Sequence, residues 1–159
     1  MNFDTAFTSE KITGSQLRQF KEVIAKLFKY CQERMRYQSE RFGLPEAELR
    51  CLLLFGDERY LTAKGIARRM NVVKSRVTKI VQGLVKKKLI QRVRDPEDSR
   101  ITLLTLTPRG QKKLAEVNRF IDDIHKEVLI QMHPEQRKML LKDLDLLAAG
   151  MEAVKDLMV

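Results

Sequence analysis

The chain has 159 residues, 43% hydrophobic and 33% charged, enough apolar content for the core of one domain and too much for wholesale disorder. Its longest apolar run, Cys51 to Phe55, is too short to cross a bilayer. The N-terminal MNFDTAFTSEK lacks the basic flank and apolar stretch of a secretory signal, so a cytoplasmic protein with no membrane partner is expected. Two cysteines (Cys31, Cys51) and two histidines (His125, His133) cannot build a disulfide framework, a zinc site of usual spacing or a multi-histidine catalytic centre; no metal and no cofactor are expected.

Charge is unevenly spread. The chain carries +10 overall, but Arg59 to Lys113 holds 16 Lys or Arg against 3 Asp or Glu, a balance of +13, and the remainder is at −3. A concentrated basic field predicts a polyanionic partner, nucleic acid before an acidic membrane surface.

Residues 1–14 read as a polar arm. From Gln16 to Phe42, Leu17, Phe20, Ile24, Leu27, Phe28, Cys31 and Met35 recur at helical spacing, and Gly43 is a natural stop. Leu44-Pro45-Glu46 opens a second helix running to about Phe55, with Leu49, Leu52, Leu53 and Phe55 facing inward. Thr62 is suited to cap a short third helix through Met70, and Asn71 tolerates the left-handed turn into a fourth helix. That fourth helix, from about Val73 to Lys87, buries Val77, Ile80, Val81 and Leu84, completing a helix-turn-helix pattern. The period then drops to two: Ile90–Arg94 and Ile101–Leu106 flank the polar tip Asp95-Pro96-Glu97-Asp98-Ser99-Arg100, a β-hairpin. Thr107-Pro108 starts a fifth helix and Pro134 a sixth. The fold class is mainly α with a small β-hairpin wing. One domain over 1–159 is expected, with a winged helix-turn-helix lobe at 44–107 between long helices at 15–43 and 108–159. Those helices carry apolar stripes too extended for a chain this short to cover, and are the expected dimerisation region.

A major groove admits one helix, and side chains near its start read base edges. The fourth helix presents Lys74, Ser75, Arg76, Thr78 and Lys79 off its core face, Arg76 being suited to bidentate contact with guanine. The hairpin tip holds Arg94 and Arg100, suited to a narrow minor groove, and Asp98 lies two residues before Arg100, close enough to orient its guanidinium.

Leu61 to Gly110 resembles the MarR family of bacterial transcription regulators, through Asp98-Ser99-Arg100, which matches the family's Asp-x-Arg wing motif, and the ending Leu106-Thr107-Pro108-Arg109-Gly110. The resemblance implies a homodimeric repressor of a pseudo-palindromic operator in double-stranded DNA, relieved by a small ligand or an oxidant. Carried over by position, it implies major-groove readers from Lys74 to Lys79 and a wing contact from Asp98 with Arg100, and the full set of expected DNA contacts is Thr62, Lys74, Ser75, Arg76, Thr78, Lys79, Arg94, Asp98, Ser99 and Arg100. The chain departs from the family where Val73 stands for a frequent capping Ser, Lys88 for a frequent Gly, and Ser99 for a frequent Arg.

Family members often bind aromatic anions beside the DNA-binding lobe; Tyr30, Arg34, Tyr37 and Arg50, from the first two helices, are the candidates for such an effector here. Cys31, on an apolar stripe, and Cys51, among leucines, read as packed thiols rather than redox sensors. A sequence-independent nucleic-acid binder uses the same basic lobe and remains the alternative. No Gly-rich phosphate loop or nucleophile elbow is present, so an enzyme is not expected.

Overall fold

The computed structural model describes residues 11–56 and 58–155; positions 1–10 of the expected arm lie outside the described residues. The element order is α1 (Gly14–Phe42), α2 (Glu46–Leu53), β1 (Leu61–Thr62), α3 (Ala63–Met70), α4 (Lys74–Lys86), β2 (Ile90–Arg94), β3 (Thr102–Leu106), α5 (Pro108–Ile130) and α6 (Pro134–Lys155). A mainly helical chain with a small antiparallel wing is therefore the fold.

The caps explain most boundaries. Thr62 and Thr107 accept the backbone N–H of Gly65 and Gly110, each at 3.0 Å, and Pro108 fills the first turn of α5, where its missing N–H costs nothing. Gly43 (φ 63°) and Asn71 (φ 53°) end α1 and α3 in the left-handed conformation. Thr13 caps α1 reciprocally with Gln16, so the helix starts inside the stretch read as an arm. The second helix stops at Leu53, short of the expected Phe55, and a turn over Leu54–Gly56 follows.

The wing differs from a simple hairpin. Its sheet has three strands in the order β1-β3-β2, both pairings antiparallel, with Leu61 opposite Leu104 and Thr62 opposite Leu103. Two residues are too few to show a period of two, so β1 left no pattern to read. Thr62 thus joins the sheet and caps α3 at once.

The core belongs to the winged-helix lobe. Leu49, Leu52, Phe55, Ile66, Val77, Leu84, Ile90 and Val117 are essentially inaccessible, and among the described residues every buried hydrophobic one lies between Leu44 and Val117. Val77, Ile80, Val81 and Leu84 bury together on α4, as its spacing demands. Two glycines permit close packing: a Cβ on Gly83 would press on the Glu48 carboxyl, and one on Gly110 would overlap the Leu89 carbonyl. Outside the lobe, α6 buries no residue, and Leu17, Phe20, Leu27, Phe28, Leu141, Leu144 and Leu146 are exposed.

Candidate nucleic-acid interface

Five polar residues form one exposed face at the start of α4. Lys74, Ser75, Arg76, Thr78 and Lys79 all point to solvent while Val77 and Ile80 anchor the opposite side. The helix begins without a side-chain cap, because Val73 has no acceptor to offer. Its first N–H groups therefore stay open beside three cations, at the positive end of the helix dipole. Thr78 donates its hydroxyl proton to the Lys74 carbonyl at 3.1 Å, so outward it offers a methyl group and lone pairs. Thr62 is half-buried, its oxygen committed to α3; its expected outward role is limited to the hydroxyl proton.

The wing tip is organised by two aspartates. Asp95 accepts the N–H groups of Glu97 at 2.8 Å and Asp98 at 3.4 Å, and its own N–H donates to the Ile101 carbonyl at 3.0 Å, which closes the turn. Asp98 then grips Arg100: Nε donates to Oδ1 at 3.1 Å, Nη2 to Oδ2 at 3.3 Å, and the Arg100 backbone N–H to Oδ1 at 3.0 Å. These bonds hold the Asp98 carboxyl below its ordinary pKa, the Arg100 side chain being the larger cause. The Arg100 side chain nevertheless remains 89% exposed, so the pair aims the guanidinium outward instead of hiding it. Arg94, at the end of β2, and Ser99 are exposed on the same tip. The structure thus places nine of the ten expected residues in two cationic elements, the start of α4 and the wing, and leaves Thr62 apart at the end of β1.

The proposed effector residues separate. Tyr30, Arg34 and Tyr37 line one groove, but its second wall is α5, through Ile124, His125 and Val128, and not α2. Arg34 reaches across it, Nη1 donating to His125 Nε2 at 2.6 Å, while its buried Nε has no partner. Arg50 is exposed on α2 and does not line that groove, a correction that follows from the inward face of α2 being Leu49 and Leu52. His125 was the wall residue least visible beforehand, since only the docking of α5 on α1 brings it to Arg34, 91 positions away.

The cysteines also differ from one another. Cys51 is buried, and burial, with a smaller contribution from Glu48, pushes its thiol up to about 12. Cys31, expected to be packed, is exposed in the single chain on the groove wall. Among the described residues, no group of three or more His, Cys, Asp or Glu is arranged to hold a metal ion, and no helix is long and apolar enough to cross a membrane.

Comparison with known proteins is consistent with this geometry. The family model of the MarR family matches residues 42–101, which span the end of α1 through the wing tip. The HTH-type transcriptional repressor MdtR of Bacillus subtilis is 35% identical over 91 residues, 57% of this chain and 59% of that protein. The uncharacterized HTH-type transcriptional regulator YdgJ, also of Bacillus subtilis, is 27% identical over 99 residues, 62% of this chain and 60% of that protein. The chain thus spans about three fifths of the length of these relatives. A MarR family protein from Bacillus stearothermophilus superposes with a TM-score of 0.81 at 18% identity, covering 89% of this chain and 99% of that one, which speaks for the fold. With the family model falling on the capped helix pair and the Asp98–Arg100 wing, residues 42–101 are similar to the MarR family and the chain has the winged-helix fold of its structural neighbours.

Proposed function

We propose that the chain is a sequence-specific double-stranded DNA-binding transcription regulator, acting as a homodimeric repressor on a pseudo-palindromic operator. The observation that carries this reading is the pairing of an open, cationic α4 start with an arginine held outward on the wing by Asp98. Lys74, Ser75, Arg76, Thr78 and Lys79 enter the major groove, with Arg76 reading a guanine. Arg94, Ser99 and Arg100 follow the neighbouring minor groove. Thr62 and the uncapped N–H groups of α4 hold phosphate. The similarity to a transcriptional repressor supports the same direction.

Dimerisation follows from the exposed apolar faces. The outer halves of α1, α5 and α6 bury nothing within one chain, and a second copy is the natural cover. Two recognition helices would then enter successive major grooves about 10 base pairs apart. The α1–α5 groove, apolar with Arg34 and Tyr37 on its rim, suits a small aromatic anion as effector.

Selection from random duplex DNA at about 0.15 M salt tests the reading. An inverted repeat with half-sites near one helical turn apart is the expected product. Salt-sensitive binding that enriches no sequence would overturn it in favour of a sequence-independent binder.

A further inference from the structure

A second concentration of positive charge lies at the other end of α4. A cavity of about 400 Å³ opens where α1 ends, α4 ends and α5 begins, lined by Phe42, Lys86, Lys87, Lys88, Arg109 and Lys113. Two of its five cations are neutralised: Lys87 pairs with Glu48 at 2.8 Å and Lys113 with Glu116 at 3.5 Å. Among the described residues Lys86, Lys88 and Arg109 have no acidic partner, so three uncompensated charges converge on a concave surface. Like charges gathered this way repel one another unless an anion joins them.

Lys88 adopts φ +58°, a left-handed conformation that a lysine rarely takes and that glycine takes freely. It ends α4 as Gly43 and Asn71 end α1 and α3, with the Lys88 N–H on the Val85 carbonyl at 2.9 Å and the Leu89 N–H on the Leu84 carbonyl at 3.0 Å, and this fixes where the Lys88 side chain leaves the helix end. Its location argues against the duplex as occupant. Lys86 lies roughly 18 Å along the α4 axis from Lys74, so a helix that enters a groove by its N-terminus carries this cavity away from the DNA. A concave space of about 400 Å³ gathering three unpaired cations suits a compact multivalent anion better than a rod-like backbone.

We propose that this junction is a binding site for a small molecule bearing a pyrophosphate group, held by Lys86, Lys88 and Arg109 with Lys87 and Lys113 beside them. Its separation from the DNA rests on the reading of α4 given above; the cavity and its charge do not. Calorimetric titration of the full chain with sodium pyrophosphate, at ionic strength fixed with sodium chloride, tests it. Saturable binding is expected, weakened about tenfold by Lys88→Gly and by Arg109→Gln, each removing one charged donor, and unchanged in Lys142→Gln on α6. Lys88→Gly relieves the backbone, so loss of binding there cannot be charged to misfolding. Absence of saturable heat, or equal weakening by all three variants, would overturn the proposal by showing only a diffuse basic surface. If Lys88→Gly and Arg109→Gln instead weaken duplex binding and spare the pyrophosphate response, the cavity belongs to the DNA surface. Duplex binding by the unaltered chain, followed in parallel, keeps this result separate from the regulator reading.

Discussion

Replacing Gly110 by alanine tests how the wing is joined to the long helices. Gly110 is the third residue of α5, and its N–H donates to Thr107 Oγ1 at 3.0 Å. The Leu89 carbonyl, at the base of β2, accepts the Thr107 N–H at 3.0 Å, while the Thr107 hydroxyl donates to the adjacent Lys88 carbonyl at 2.6 Å. A Cβ at position 110 overlaps that carbonyl, with its carbon only 2.8 Å away, and the obstacle is backbone that no rotamer change relieves. The start of α5 must move off the lobe. That forfeits a part-buried backbone bond, worth about 1 kcal/mol, and strains the Thr107 cap, worth about 1 kcal/mol. Loosened packing of Leu114 and Val117, both nearly inaccessible, costs roughly another 2 kcal/mol. Alanine returns about 1 kcal/mol through its better helix propensity. The net loss is about 3 kcal/mol, or a fall in Tm of roughly 6–12 °C for a chain of this size. Differential scanning calorimetry at one fixed protein concentration measures it. A Tm within about 2 °C of the parent would refute the argument, since the contact would then be too soft to resist a methyl group.

Three other outcomes follow from the same structure. Lys88→Gly should stabilise the fold by about 1 kcal/mol in urea unfolding, because relief of the left-handed lysine exceeds the entropy that glycine adds to the unfolded chain; an unchanged midpoint would mean position 88 is unstrained. Arg76→Ala should lose roughly 1–3 kcal/mol of duplex affinity and relax one position of the selected site, and equal weakening on all duplexes would make Arg76 a phosphate contact. Cys51 ionises near 9.0 when unfolded and near 12 when folded, so the folded state keeps its proton longer. Stability should fall as pH rises from 9 towards 12, by up to about 1.4 kcal/mol per unit, and urea titrations of the parent should lose more between pH 8 and 10 than those of Cys51→Ala.

The lobe was legible because its signals are local. Val77, Ile80, Val81 and Leu84 announce one face of α4 by spacing alone, and Thr62, Asn71, Thr107 and Gly43 mark helix ends through chemistry confined to a few residues. The Asp98–Arg100 pair was readable for the same reason, being two positions apart. What escaped depends on distant docking. β1 exists only because β3 lies beside Leu61 and Thr62, and the α1–α5 groove exists only because α5 folds back to bring His125 to Arg34. Arg50 was misplaced because α2 faces inward through its leucines, which turns the guanidinium away from that groove. Glu48, an acid by composition, is buried because Gly83 leaves room for it and Lys87 compensates it.

Thr62 has a mechanical meaning beyond its cap. Because one residue both hydrogen-bonds along β3 and terminates α3, the sheet and the helix pair share a rivet at their meeting point. The distance from the α4 start to the wing tip is therefore set inside one stiff body and is poorly adjustable. A displacement of α1 or α5 would turn that body and have little leverage to bend it. In a two-fold assembly the tunable quantity would then be the span between two such bodies, so a ligand between the long helices would act as a caliper screw, changing the gauge without reshaping either jaw.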